Sequence, residues 1–231
     1  MSVYITADTH GEVIKIINAL DEGIITPDDI LVILGDAGFN LRGIMNGDRI
    51  LKSVIKRKKL TLFCIHGNHE MRPETLPFYK TQTWHGGTVY IEEEYPNILF
   101  AKDGEIFDLD GRKTIVIGGA YSADKNSNSI EKRKPYFPDE QPSDETKAFV
   151  ESVLEKEGWK IDQVMTHTCP YKYIPKEAFL PGIDQDSVDH STEEWLDSIE
   201  DKLTYNRWLC GHWHIDKSID KMRFVMNDII R

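Results

Sequence analysis

Short apolar runs alternate with segments of helical spacing through the first part of the chain. Val3 to Ala7 is β-prone, Val13 to Leu20 repeats apolar residues at helical intervals, and Ile30 to Leu34 is continuously apolar. Ile44 to Ile55 returns to helical spacing, and Leu60 to Ile65 is apolar again. A period near 3.6 predicts helices, and short continuous runs bounded by turn residues predict strands buried on both faces. Strand–helix–strand alternation predicts βαβ units and a largely parallel sheet. The pattern then changes to close-spaced runs at Thr88 to Ile91, Ile98 to Ala101, Glu105 to Leu109 and Thr114 to Ile117. Asp110-Gly111 between the last two is a favoured two-residue hairpin connection. This meander is expected to form a second sheet.

From Ser122 to Ser143 the chain is polar, rich in Asn, Ser, Lys and Pro, and without period. Connections in compact domains are usually shorter, so a lid or mobile loop is expected around 121–143. Ser143-Asp144-Glu145 predicts a capped helix running to about Lys156. Ile161 to Met165 reads as a strand, Tyr171 to His190 as an irregular stretch, and Ser191 to Glu194 as the start of another helix. Trp208 to Cys210 and Arg223 to Met226 close the pattern as strands. Residues 1–231 are expected to form a single domain, with two sheets packed together and helices on the outer faces.

Composition narrows the class. With 40% hydrophobic and 29% charged residues the 231-residue chain has the balance of a soluble globular protein. A formal charge of −11, from 28 Lys plus Arg against 39 Asp plus Glu, argues against extended nucleic-acid binding, which needs a basic face. No apolar run approaches the roughly 20 residues of a bilayer span. The start MSVYITADTHGE has no basic region leading into a secretory apolar segment. A cytoplasmic location without a membrane partner is therefore expected. Cys64, Cys169 and Cys210 are widely separated and contain no C-x-x-C, which argues against a disulfide framework. Cys64 and Cys210 end apolar runs and read as core, whereas Cys169 stands out beside a histidine in THTCP.

The chemistry gathers where apolar runs end. Asp8-Thr9-His10-Gly11 follows the first strand, Gly35-Asp36-Ala37-Gly38 the second and Gly67-Asn68-His69-Glu70 the third. Thr166-His167 follows the strand at 161–165, and Gly211-His212-Trp213-His214 the one at 208–210. Five of the eight histidines fall there, beyond the strand ends where open α/β sheets bind ligands. Burying so many imidazoles and carboxylates together without a cation would leave polar groups unpaired. About seven His, Asp and Asn ligands exceed what one tetrahedral ion uses, and thiolates are absent. Two divalent ions sharing a bridging carboxylate are therefore predicted.

The ordered set D-x-H, G-D, G-N-H-E, H and G-H-x-H, from Asp8 to His214, resembles the calcineurin-like metallophosphoesterase superfamily. GGAYSADK and YFPDEQPS are similar to segments of bacterial and phage-associated metallophosphatases. The resemblance implies an α/β fold, a four-layer α/β/β/α sandwich of two mixed sheets flanked by helices, with the site at one edge of the sheets. It implies that Asp8, His10 and His214 hold one ion, that Asn68, His167 and His212 hold the other, and that Asp36 bridges. Mixed N/O ligation suits Mn, Fe, Zn, Ni or Co. The implied reaction is hydrolysis of a phosphomonoester or phosphodiester by metal-bound hydroxide, with His69 as general acid or transition-state stabiliser. Gly67 and Gly211 are expected to let the backbone turn sharply beside the ligands.

Two departures from the family pattern matter. Many family phosphatases read G-D-x-x-D, where the later aspartate supports the catalytic histidine; Phe39 stands there, leaving Asn40 or Glu70 as substitutes. The arginine that often precedes G-N-H is replaced by His66. Arg42, Arg72 and Arg133, or Lys134, are the candidates to bind substrate phosphate. Lys56 to Lys59 reads as the solvated end of a helix, and His85 and His190 as structural or exposed. Trp84 and Trp213 read as packing residues or cleft walls. The expected partner is a small phosphorylated substrate, and the sequence specifies no oligomeric state. Two alternatives stay open: a nuclease acting on DNA or RNA with the same centre, and a noncatalytic metal-binding scaffold.

Overall fold

A computed structural model describes residues 1–41, 46–123 and 137–231. Arg42, Arg133, Lys134 and much of the expected lid lie outside the described residues. The first sheet begins as a parallel set of β1 (Val3–Thr6), β2 (Ile30–Leu34) and β3 (Thr61–Ile65), connected by helices α1 (Val13–Asp21) and α2 (Asn46–Lys58). It continues through β4 (Tyr79–Trp84), β5 (Gly87–Glu92) and β6 (Ile98–Ala101) to give the order β1-β2-β3-β6-β5-β4.

The second sheet opens with the hairpin β7 (Ile106–Leu109) and β8 (Arg112–Ile117), followed by α3 (Asp144–Lys156) and β9 (Gln163–Thr166). After α4 (Ser191–Glu200) come β10 (Arg207–Cys210), β11 (Lys217–Ile219) and β12 (Met222–Phe224), in the order β11-β12-β10-β9-β8-β7.

β2 explains the layering. Ile30, Val32 and Leu34 join the core between the sheets, while Leu31 and Ile33 pack with Ile16, Ala19 and Ile55 of α1 and α2. In β10, Leu209 faces the central core, and Trp208 and Cys210 face Val150, Leu154, Leu196 and Ile199 of α3 and α4. Period-two alternation between two apolar layers makes each strand continuously hydrophobic. The result is the four-layer α/β/β/α sandwich.

The meander divides between the sheets. Its strands β5 and β6 extend the first sheet, with β6 parallel to β3, and only β7 and β8 start the second. The crossing lies at Asp103-Gly104: Gly104 takes φ 81°, and Asp103 Oδ1 accepts a hydrogen bond from the Gly118 N–H at 2.7 Å. Strands β4 and β11 carry no apolar signal in the sequence, and β4 is a largely exposed edge strand with the sequence YKTQTW. The Asp110-Gly111 hairpin holds both residues in the left-handed region, at φ 57° and 71°. Ser143 caps α3 by accepting from the Thr146 N–H, and α2 ends on Lys56, Arg57 and Lys58. All three cysteines are buried free thiols, Cys169 included, which packs in the core under α3 and α4. Among the described residues no helix is long and apolar enough to cross a membrane.

Phe63 joins the two sheets, with its ring 5.0 Å from that of Trp84 and 4.8 Å edge-on to Phe107. Phe63→Ala is expected to lower stability by about 3–5 kcal/mol. Urea unfolding followed by far-UV circular dichroism checks this, and a loss below about 1 kcal/mol would contradict a central role for the ring.

Candidate metal centre

Loops at the carboxyl ends of five parallel strands converge: those after β1, β2 and β3 of the first sheet and after β9 and β10 of the second. Backbone pairing continues past the strands, with Asp8 N–H donating to Gly35 O, His10 N–H to Asp36 O and Gly211 N–H to His167 O. Asp8, His10, Asp36, His212 and His214 all take left-handed backbone angles, φ 46° to 66°. Non-glycine residues held there are uncommon and carry roughly 1–3 kcal/mol of strain each, a pattern concentrated at functional sites. The turns break the strands and gather the candidate ligand side chains at one edge.

Gly67 and Gly211 serve differently from the sequence expectation. Neither adopts a left-handed angle. A Cβ on Gly67 would lie 2.0 Å from Asp36 Oδ1, and one on Gly211 would lie 2.6 Å from Asp8 Oδ2. Their contribution is close approach to the two carboxylates.

The side chains assemble as two overlapping groups with donor atoms within 4.8 Å: Asp8, His10 and His214, and Asp8, Asp36 and His167. His10 Nε2 is 3.3 Å from His214 Nε2, and His214 Nε2 is 3.6 Å from Asp8 Oδ1. Asp36 turns Oδ2 toward His10 Nδ1 and Oδ1 toward His167 Nε2, each at 3.8 Å. Asn68 Oδ1 lies 2.7 Å from His167 Nε2 and 3.1 Å from His212 Nδ1, while its amide nitrogen donates to Ser122 Oγ at 2.8 Å. Ser122 is held in turn by its N–H on Glu140 Oε1.

One of these contacts tests whether a cation fits. His167 Nδ1 lies 2.8 Å from Leu34 O, a carbonyl that can only accept, so Nδ1 carries the proton. Nε2, the nitrogen left to ligate, faces the amide oxygen of Asn68 at 2.7 Å. An imidazole nitrogen and an amide oxygen facing each other, with carboxylate oxygens beside them, make a donor set that fits a divalent ion.

The electrostatics agree with ligation. Burial opposes ionisation of Asp36, but the charges of His167, His69 and His10 prevail and bring its carboxyl down to about 2. Burial pushes His10 below the usual imidazole value and His212 well below it, which favours the neutral form that binds metals. Glu70, fully buried, is raised to about 8 by burial and then by Asp36. Its Oε1 accepts from the Gly67 N–H, bracing the loop that carries Asn68.

The other sequence candidates separate clearly. Phe39 is core, and the Asn40 amide oxygen accepts from Lys52 Nζ and Tyr79 OH. His66 is buried with Nε2 3.0 Å from Glu70 O. Arg72 is not among the described residues lining the cavity: its guanidinium is buried against Asp103 at 2.8 Å and donates to Asp139 O. Trp84 packs on Phe63, and His85 Nδ1 meets Asp108 O of β7.

A cavity of about 360 Å³ opens beside the cluster and takes in Asp36, Asn68, His69, His212 and His214. Trp213 forms part of its wall, and His190, read from sequence as structural or exposed, lines it too. Sequence reasoning missed most of the remaining wall, Ala178 to Pro181 with Val188, and missed Glu193 on α4. The available signal was that 171–190 is an irregular Pro- and Gly-containing stretch directly after THTCP.

A family model for calcineurin-like phosphoesterase matches residues 1–216 of the chain. No curated protein matches it.

Glu193 offers a test of the buried site. Burial raises its carboxyl to about 7, above the unfolded value, so its ionisation opposes folding. Its contribution to stability is full below about pH 4.5 and is lost as pH rises through about 7. Relative to Glu193→Gln, the native protein is expected to lose up to roughly 3 kcal/mol across that window. Urea unfolding of both proteins from pH 4.5 to 8.5 measures the difference; parallel stability curves would refute it.

Proposed function

This chain belongs to the calcineurin-like phosphoesterase family, and we propose that it is a two-metal phosphohydrolase that cleaves a phosphomonoester or phosphodiester. The observation that supports this most is the convergence of His167 Nε2 and Asn68 Oδ1 beside Asp36, at the edge of a cavity that Asp36 and Asn68 line. In this reading Asp8, His10 and His214 hold one ion and Asn68, His167 and His212 the other. Asp36, with one oxygen toward His10 and the other toward His167, spans both. The donor set is nitrogen and oxygen without thiolate, which suits Mn, Fe, Zn, Ni or Co. When bound, such ions polarise phosphoryl oxygens and bring the pKa of water toward neutrality.

The protein's own groups do the rest. The Leu34 carbonyl fixes the tautomer of His167, and Ser122 fixes the amide of Asn68. The His69 N–H donates to Asp36 Oδ1 at 2.8 Å, so the loop bearing His69 is registered to the carboxylate. The His69 side chain lines the cavity, where it supplies a proton to the leaving oxygen or, if charged, stabilises the transition state. Both sheets furnish ligands, so the reading treats residues 1–231 as one catalytic domain. Three unpaired thiols accord with a reducing compartment, the cytoplasm.

A nuclease reading has less support. The net charge is −11, whereas a strand of nucleic acid needs a basic face to neutralise its phosphates. A scaffold reading has to account for the presence of every ligand position.

Hydrolysis of an aryl phosphodiester and the matching monoester after Mn²⁺ reconstitution tests the proposal. Activity is expected to vanish with chelator, and Asp36→Asn to lose both bound metal and at least about 10²-fold in kcat/KM. His69→Asn is expected to keep its metal and lose about 10²–10⁴-fold in kcat, more for poor leaving groups than for good ones. A metal-loaded protein with no turnover on either ester class, or Asp36→Asn with full activity, would refute the reading.

A further inference from the structure

The chain after β12 returns to the edge where the candidate ligands gather. Val225 N–H donates to Cys210 O of β10, and Ile230 exchanges backbone hydrogen bonds of 2.8 and 3.0 Å with Ile5 of β1. Residues 225–230 therefore cross from the second sheet to the first. On the way they are gripped by Asp216, at the end of the loop that carries His212 and His214. Its Oδ1 accepts from the Met226 N–H at 2.9 Å, and its Oδ2 accepts from the Asn227 N–H at 3.0 Å and the Asn227 side-chain amide at 3.1 Å. Lys15 of α1 holds the other side. Its Nζ donates to Met226 O and to Thr6 Oγ1, each at 2.6 Å, and the Thr6 hydroxyl donates to Asp228 O at 3.1 Å. Thr6 lies two residues before Asp8, and Asp216 two residues after His214. Residues 226–228 lie past residue 216, where the match to the family model ends.

We infer that Asp216, Lys15 and residues 226–228 form a clasp that positions His214 against Asp8 and His10, which makes Asp216 a positioning residue for one of the two ions. The inference rests on the two-metal reading for the ions themselves. His214 is the most exposed of its set: its side chain is 51% exposed, against 28% for His10 and 0% for Asp8. Its Nε2 nevertheless lies 3.3 Å from His10 Nε2 and 3.6 Å from Asp8 Oδ1, across the boundary between the sheets. Metal ligands must be held to within a few tenths of an ångström, so a half-exposed ring needs its backbone fixed. The clasp supplies this by joining the chain just after His214 to the chain just before Asp8. Hydrogen bonds from N–H groups to an ionised carboxylate are stronger than neutral ones, and Lys15 faces the charges of Asp216, Asp228 and Asp8. The other candidate ligands are held by separate means: His167 by Leu34 O, Asn68 by Ser122, and His212 by its N–H on Asp8. Loosening the clasp therefore acts on one ion and spares the other.

Calorimetric titration of the metal-free full-length protein with Mn²⁺ tests this in Asp216→Ala, with Asp29→Ala as the control. Asp29 makes a comparable clamp at the amino ends of β1 and β2, where it accepts from the Ser2 and Thr26 N–H groups far from the ligands. Asp216→Ala is expected to weaken one ion by on the order of tenfold, the lower end for residues that orient a ligand, and to leave the other unchanged. Lys15→Met is expected to weaken the same ion, and Asp29→Ala neither. Asp216→Asn, which keeps one acceptor oxygen, supplies the comparison if the alanine variant does not fold. Amide hydrogen exchange of the metal-free proteins reads the clasp without any ion. Exchange at residues 212–214 and 226–228 is expected to quicken at least about fivefold in the Asp216 variant, with 208–210 of β10 unchanged. Both native affinities retained in the Asp216 variant, both ions weakened alike, or unchanged exchange at 212–214 overturns the inference. A native protein that binds fewer than two ions refutes the two-metal reading instead, and exchange at 212–214 then decides the clasp by itself.

Discussion

Nitrogen and oxygen donor atoms that converge on one edge of the two sheets govern this structure. Asp8, Asp36, Asn68 and His167 are all buried, and their oxygen and nitrogen lone pairs face a common space. In a folded chain such a concentration of acceptors is tolerable only with a positive charge among them. The left-handed turns at five candidate ligands raise the energy of the fold, and the glycines let the backbone approach two of the carboxylates closely.

The cluster also depends on the packing of two sheets. Asp8, His10, Asp36, Asn68 and His69 come from the first, and His167, His212 and His214 from the second. Contacts across the boundary, such as Gly211 and His212 against Asp8 and His167 against Leu34, place each set relative to the other. The central core, where Phe63 meets Phe107, therefore fixes distances at the edge as well as stability.

Much of this was legible in the sequence. Strands β1, β2, β3 and β10 are largely buried and announce themselves as short apolar runs, and Ser143 marks the start of α3. Seven of the eight ligand and catalytic candidates follow these strands and His167 follows β9, so finding the strands found the cluster. Edge strands β4 and β11 escaped because one face meets solvent and the other packs sparsely, which erases the apolar signal. The division of the meander escaped because Asp103 and Gly104 look like any turn, and only long-range bonds to Gly118 and Arg72 make them a crossing. Arg72 looked available for substrate because a sequence cannot display the distant aspartate that occupies it. Glu193 looked like an ordinary acidic residue in the first turn of a helix.

The support of Asn68 by Ser122, and of Ser122 by Glu140, also bears on chain length. Ala120 N–H also donates to Glu140 O, so the backbone before and after residues 124–136 is joined on the metal-centre side. Once the ends of an insertion are tied together, its length affects stability only logarithmically. A change in the length of chain between these anchors therefore costs little stability, and the bonds that orient the amide of Asn68 lie outside it.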